Sequence, residues 1–229
     1  SFTYSQTLLE TVNLPSGTYW NLAYGMVYNN SKYWRSSESS TAARGIFYAV
    51  NRSGTLVDTL DINLSWLRAS QGLAFDGNYF WYIERKTARC DVFKVDQNGN
   101  VVDSITSTQL FGGSWYIGGA AWDGSGLWVS VYYPNANAAL YKVDVNSKTV
   151  IDTILTYGTQ PQGIAIKGDT LFYVMDDNDG HDERVYALNL VNEDTLFSFH
   201  VPDLNGQSPR GLAWDGTFFW LIEEPVGDT

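Results

Sequence analysis

The chain has 229 residues, of which 44% are apolar, 15% aromatic and 17% charged, with 21 Gly, 6 Pro, one Cys and a net charge of −11. An apolar share of this size supports a packed core and excludes disordered, collagen-like and coiled-coil chains. The acidic balance, with a pI near 4.4, repels phosphate backbones, so no nucleic-acid partner is expected.

In chain order, residues 7–14 (TLLETVNL) come first and align with residues 55–62 (TLVDTLDI). A motif then recurs as GMVYNNSKYWRSS at 25–37, GLAFDGNYFWYIE at 72–84, GAAWDGSGLWVSV at 119–131, GIAIKGDTLFYVM at 163–175 and GLAWDGTFFWLIE at 211–223. Its first residues, Gly25, Gly72, Gly119, Gly163 and Gly211, are 44 to 48 residues apart, and 43 more lead from Gly211 through the termini back to Gly25. Each copy reads as two strands, a and b, around a tight turn, Asp-Gly in three copies and Asn-Asn in the first, with Lys167 breaking the pattern in the fourth. Strand b, as in Phe80-Trp81-Tyr82-Ile83, is apolar on both faces, which suits a sheet held between two others. Strand a keeps a small residue at Ala74, Ala121, Ala165 and Ala213, suited to an axis where sheets converge.

Between the copies lie paired segments c and d, at 45–51 and 55–62, 91–96 and 101–105, 140–145 and 150–155, and 185–190 and 195–201. Four-stranded units of about 45 residues in a closed array predict an all-β, five-bladed β-propeller with four antiparallel strands per blade. It fills residues 1–229 as one domain, with blades beginning near 16, 66, 111, 161 and 209. Residues 1–15 complete the last blade, residues 7–14 serving as its outer strand d, and its strand c must come from 225–229 or 1–4.

The repeat G-[LI]-A-[FW]-D-G-x-x-[FL]-W resembles the blades of bacterial secreted β-propellers of the NHL, streptogramin-lyase and gluconolactonase-like type. The ring size is similar to that of olfactomedin-type and tachylectin-type propellers. Such propellers include lyases, lactonases, lectins and scaffolds, so the resemblance implies an architecture and an extracellular or cell-surface location without selecting an activity.

The turn residues Asp76, Asp123 and Asp215 are expected to hold their own hairpins. They lie on the rim opposite the d–a and b–c loops, where propeller ligands usually bind. On the ligand rim, Gln71, Gln162 and Arg210 precede strands a, while Glu84 and Glu223 end strands b. Carboxylates, amides and an Arg suit a cation or a polar small molecule. Trp66, and Trp115 with Tyr116 in the long loop 110–118, are aromatic candidates for a sugar face, although rings also fill the gaps between blades. One calcium candidate, Asp177, Asp179 and Asp182, lies in an acidic b–c loop, but the EF-hand pattern fails because Met175 and Tyr186 fall at its first and twelfth positions. No other cofactor is expected.

Cys90 has no disulfide partner, no Cys/His spacing suits structural zinc, and no apolar run approaches the roughly 18 residues that span a bilayer. Two His and no GxSxG elbow leave catalysis little support. The leading expectation is therefore a non-catalytic binding or assembly propeller with a glycan or protein ligand, and self-assembly through the incomplete closing blade is a further option. The alternative is a hydrolase or lyase acting on sugars or lactones through the rim carboxylates. An enzyme should bring two or more carboxylates onto Arg210, and a binder should leave Trp115 or Trp66 flat and exposed.

Overall fold

The computed structural model describes residues 7–14, 24–36, 45–64, 70–86, 89–176, 183–201 and 208–223. Alternation of apolar residues with Gly-centred turns produces four antiparallel blades. The first contains β1 (Met26–Asn29), β2 (Lys32–Ser36), β3 (Gly45–Val50) and β4 (Leu56–Ile62). The second contains β5 (Ser70–Phe75), β6 (Phe80–Arg85), β7 (Cys90–Val95) and β8 (Val101–Thr106). After a short helix, α1 (Ser107–Phe111), the third contains β9 (Tyr116–Trp122), β10 (Leu127–Tyr133), β11 (Ala139–Asp144) and β12 (Thr149–Leu155). The fourth contains β13 (Pro161–Lys167), β14 (Thr170–Met175), β15 (Arg184–Asn189) and β16 (Thr195–His200). The last sheet is the hairpin of β17 (Pro209–Trp214) and β18 (Phe219–Glu223). The molecule is an all-β propeller whose strand boundaries fall within a residue or two of those expected from the repeat.

The core lies between sheets, as the doubly apolar strand b requires. Trp81 and Ile83 face Leu127 and Val129 of the next blade, while Phe47 meets Phe80 and Tyr82 with ring centroids 5.5 and 5.4 Å apart. The inner strands approach backbone to backbone at the repeated glycines. A Cβ on Gly25 would lie 2.7 Å from the Gly72 carbonyl carbon, and one on Gly72 would lie 2.9 Å from Ala120 N. One on Gly119 would lie 2.6 Å from Gln162 O, one on Gly163 2.5 Å from Leu212 N, and one on Gly211 would strike Tyr24 O. The inner strands thus touch in the order β1, β5, β9, β13, β17 and back to β1. Only a residue without a side chain permits that approach.

Two expectations differ from the structure. Residues 7–14 are described but carry no strand, and the last sheet has two strands among the described residues. An outer strand needs a strand c to pair with, and residues 1–4 and 225–229, expected to supply it, lie outside the described residues. In addition, the loop at 110–118 is shorter than expected, because α1 takes in Leu110 and Phe111 and β9 begins at Tyr116. Thr106 and Gln109 form a reciprocal capping box at the helix start, and Gly112 ends it at φ 71°; both features favour a helical turn over open loop.

Candidate functional site

Among the described residues, every buried polar or charged side chain lies near one rim, where strands a begin and strands b end. Arg35 and Ser36 end β2, Ser70 and Gln71 begin β5, and Glu84 and Asp91 face each other across β6 and β7. Ser107 follows β8, Ser130, the repeat equivalent of Ser36, lies midway along β10, Gln162 is the second residue of β13, and Asp176 follows β14. Burying such groups is unfavourable unless they are hydrogen-bonded. Their concentration at one end is therefore a local exception to the apolar packing everywhere else.

Backbone irregularity aims several of these groups. The a–b ladder of the second blade pairs Ser70 with Glu84 and then Gly72 with Ile83, leaving Gln71 as a bulge. Gly118, Gln162 and Arg210 fall at corresponding register shifts in β9, β13 and β17. A bulge re-aims a side chain out of the pleat, so the residue before each inner glycine is displaced at the same place in four successive sheets.

Contacts at this rim cross between sheets. Arg210 Nη1 lies 2.7 Å from Asp176 Oδ2, joining the last sheet to the fourth blade, with the Asp176 side chain 2% exposed and that of Arg210 22% exposed. The Arg210 guanidinium also covers the Tyr24 ring at 5.5 Å. Ser130 Oγ donates to the Gln162 carbonyl at 2.6 Å, and the Ser36 and Ser70 hydroxyls bond to each other. Asp91 accepts Lys86 at 2.6 Å and Arg89 at 2.9 Å. Burial pulls the Arg35 guanidinium down to about 10, which still leaves it charged at neutral pH. Burial pushes the Tyr132 phenol up to about 12 against the pull of nearby Arg85 and Arg210.

The two rims use different cations. Among the described residues, Arg35, Arg85, Arg89, Arg184 and Arg210 are at the polar rim with Lys86. Lys32, Lys94, Lys142, Lys148 and Lys167 are at the opposite rim with Arg52. Arg presents a planar fork suited to carboxylates and other oxyanions, whereas Lys is a point charge. At the opposite rim, Asp76 Oδ1 accepts the Asn78 and Tyr79 amides while its Oδ2 accepts Trp81 Nε1 at 2.9 Å. Asp123 holds Trp128 at 2.8 Å and Asp215 holds Trp220 at 2.7 Å in the same way. These acids are committed to their turns, as expected from the repeat. An open cleft of about 420 Å³ on that side is lined by Glu10, Asn51, Arg52 and Ser53. Arg52 is held by Glu10 at 2.9 Å and Asn51 Oδ1 by the Ser53 and Thr55 amides, so its polar lining is already occupied.

Of the expected site residues, Gln71, Glu84 and Gln162 are buried at the polar rim, while Arg210 and Glu223 are half-buried there. Tyr116 lies under the Arg85 guanidinium, 4.8 Å from its ring centre. Trp115 is half-buried, with one face stacked on Phe111 at 4.3 Å and Tyr141 5.7 Å away. Trp66, Asp177, Asp179 and Asp182 lie outside the described residues. Among the described residues, no group of three or more His, Cys, Asp or Glu is placed to hold a metal ion. Arg35, Ser36, Ser70, Asp91 and Ser130 were not anticipated. Ser36 and Ser130 were legible in principle, because they occupy the strand-b position held by Ile83, Val174 and Ile222 in the other copies.

No protein-family model and no curated protein matches the chain. Among solved structures, it is similar to the glutaminyl cyclase of Myxococcus xanthus, with 11% identity over 92% of this chain and 89% of that one, at a TM-score of 0.66. A chain of a nidogen/laminin complex matches at 13% identity over 89% of this chain and 72% of the other, with a TM-score of 0.59. Hydrazine synthase from Kuenenia stuttgartiensis matches at 17% identity over 99% of this chain, with a TM-score of 0.57, and the chain spans 62% of that protein's length. Identities at this level establish a shared propeller fold and leave function to the residues of the site.

Proposed function

We propose that the chain is a five-bladed, non-catalytic binding propeller, acting outside the cell or at its surface, that takes a glycan or protein ligand on the polar rim. The observation that carries this reading is the gathering of buried polar side chains, bulges and Arg at one end of the sheets, while the acids of the other end are locked into turns. Such sites need a few well-placed polar groups on a rigid scaffold. The enzymes and the complex component among the structural neighbours leave the choice to this site. The test is a glycan array and a protein pull-down with the native chain and with Gln71→Ala and Gln162→Ala. Binding that these substitutions weaken at least tenfold, with an unchanged melting curve, supports the reading; empty results from both assays with a folded ring overturn it.

Five-bladed closure is supported by a repeated contact. The turn after β7 places Gly99 against the Asp61 carbonyl at the end of β4, and the turn after β3 places Gly54 against the Asn13 carbonyl. Asn13 and Asp61 are equivalent in the repeat. Likewise, Lys148 pairs with Asp103 of the preceding blade at 2.6 Å and Arg52 pairs with Glu10 at 2.9 Å, Glu10 and Asp103 being repeat equivalents. Residues 7–14 thus stand toward the first blade as an outer strand stands toward the blade that follows it. Self-assembly through the closing blade is the further option, and a concentration-independent monomer in light scattering excludes it.

A second reading, a hydrolase or lyase, is favoured by the Asp176–Arg210 pair, an acid held against a cation at the polar rim. It requires turnover of a glycoside or lactone that Asp176→Asn or Glu84→Gln abolishes without altering the melting curve.

A further inference from the structure

We infer that the surface where the second and third blades meet, carrying Arg85, Tyr116, Tyr132 and Tyr133, binds an anionic saccharide, with a sugar carboxylate on Arg85 and a sugar face on the tyrosines. The inference rests on the reading of the polar rim as the ligand face and names the class of ligand. Arg85 is the exposed last residue of β6. It makes no ion pair among the described residues, and its guanidinium lies over the Tyr116 ring at 4.8 Å. Stacking on an aromatic face leaves the N–H edge of a guanidinium free to take a carboxylate in two parallel hydrogen bonds. Tyr116 is flanked by Tyr133 at 5.2 Å and Tyr132 at 5.9 Å, and Tyr133 is 50% exposed. Ring faces of this kind suit the C–H face of a pyranose.

Charge at this corner opposes that of the whole molecule. Arg85 ends β6, and Lys86 and Arg89 follow it in a chain with net charge −11, while the neighbouring acids Glu84 and Asp91 are buried. With Lys86 and Arg89 paired to Asp91, Arg85 is the cation that faces solvent there, and it draws anions to a protein that otherwise repels them. An acidic peptide is the less suitable occupant, because peptide recognition uses a strand edge or a long groove, and this corner provides a point of charge beside ring faces.

The test is calorimetric titration of the folded chain with tetragalacturonate, an uncharged galactose tetramer and polyglutamate. The expected result is binding of tetragalacturonate that weakens as salt rises, at least tenfold tighter than either control. Arg85→Gln and Tyr133→Ala should each weaken it at least tenfold with unchanged melting curves, Arg85→Lys should restore only part, and Lys32→Gln on the opposite rim should leave it intact. Absence of tetragalacturonate binding, equal binding of polyglutamate, or equal loss in Lys32→Gln overturns the inference. If an uncharged glycan or a protein binds and is lost in Gln162→Ala but not in Arg85→Gln, the rim reading stands and this inference fails; if nothing binds in any assay, both fail.

Discussion

Tyr33 donates its phenolic hydroxyl to Asp215 Oδ2 at 2.7 Å, joining the first blade to the last sheet across 182 positions of sequence. The Tyr33 ring rests 4.7 Å from that of Trp220, and the Arg52 guanidinium covers Phe218 at 4.8 Å. Among the described residues, the apolar cluster at this boundary consists of buried Met26, Ala213 and Ile222 with Trp220 packed against it, and polar and cation–ring contacts join it. Burial and the bond to Asp215 push the Tyr33 phenol above its ordinary range. Removing the hydroxyl in Tyr33→Phe leaves Asp215 short of one donor and should lower unfolding stability by about 1–2 kcal/mol. Urea unfolding measures this, and hydrogen exchange should rise first in β1, β17 and β18.

Acid should weaken the fold through the turn aspartates. Burial pushes the Asp123 carboxyl upward, but Lys142, the Ser125 and Gly126 amides and Trp128 outweigh it and hold the group down at about 2. Asp215 is likewise raised by burial and brought to about 2 by the Phe218 amide, Trp220, Tyr33 and the Thr217 amide. A carboxyl with a folded value below its unfolded value stabilises fully above the unfolded value, and that stability is lost as pH falls through the folded one. The melting temperature should be level above about pH 5 and fall between about pH 4 and pH 2. Asp123→Asn should flatten that fall and remove about 2 kcal/mol at neutral pH.

The inner glycines should tolerate no side chain. In Gly163→Ala the added methyl meets Leu212 N, Arg210 O and the Gly211 carbonyl carbon at 2.5 to 2.7 Å, all of it backbone. Overpacking of this kind costs about 1–3 kcal/mol or more, and a drop in the urea midpoint should report it. Gly77→Ala has open space around the methyl but φ of +101°, so a smaller loss of about 1 kcal/mol is expected from backbone strain alone.

Asp176 and Arg210 should behave as a coupled pair. Asp176→Ala leaves Arg210 beside a vacated, largely dry site, and breaking one partner of a buried pair costs about 3–5 kcal/mol, with less expected here because Arg210 keeps partial solvent contact. The double variant with Arg210→Ala should recover part of that loss. A double-mutant cycle in urea that returns additive values would exclude the coupling.

The Cys90 thiol is fully buried, and burial pushes it up to about 12. A thiol this protonated and enclosed reacts slowly. Labelling with a disulfide reagent should follow the unfolding curve of the second and third blades, and rapid labelling of the native chain would contradict this.

Much of the architecture was legible in the chain because it is local and repeated. The doubly apolar run Phe80-Trp81-Tyr82-Ile83, the positive-φ turn at Gly77 and the spacing of Gly25, Gly72, Gly119, Gly163 and Gly211 each state a backbone requirement that neighbouring residues satisfy. The Asp76-to-Trp81 bond spans five residues and follows from the hairpin. What the tertiary structure decided is the rim. Asp176 meets Arg210 across 34 positions and Ser130 meets the Gln162 carbonyl across 32, because bulges before the inner glycines shift the register as separate sheets converge on the axis. The fate of Trp115 was settled the same way: α1 places Phe111 on its face, a contact set by helix capping and not visible in the aromatic count. Local sequence determines a strand and its turn, whereas the side chains gathered at a shared end depend on how whole sheets pack.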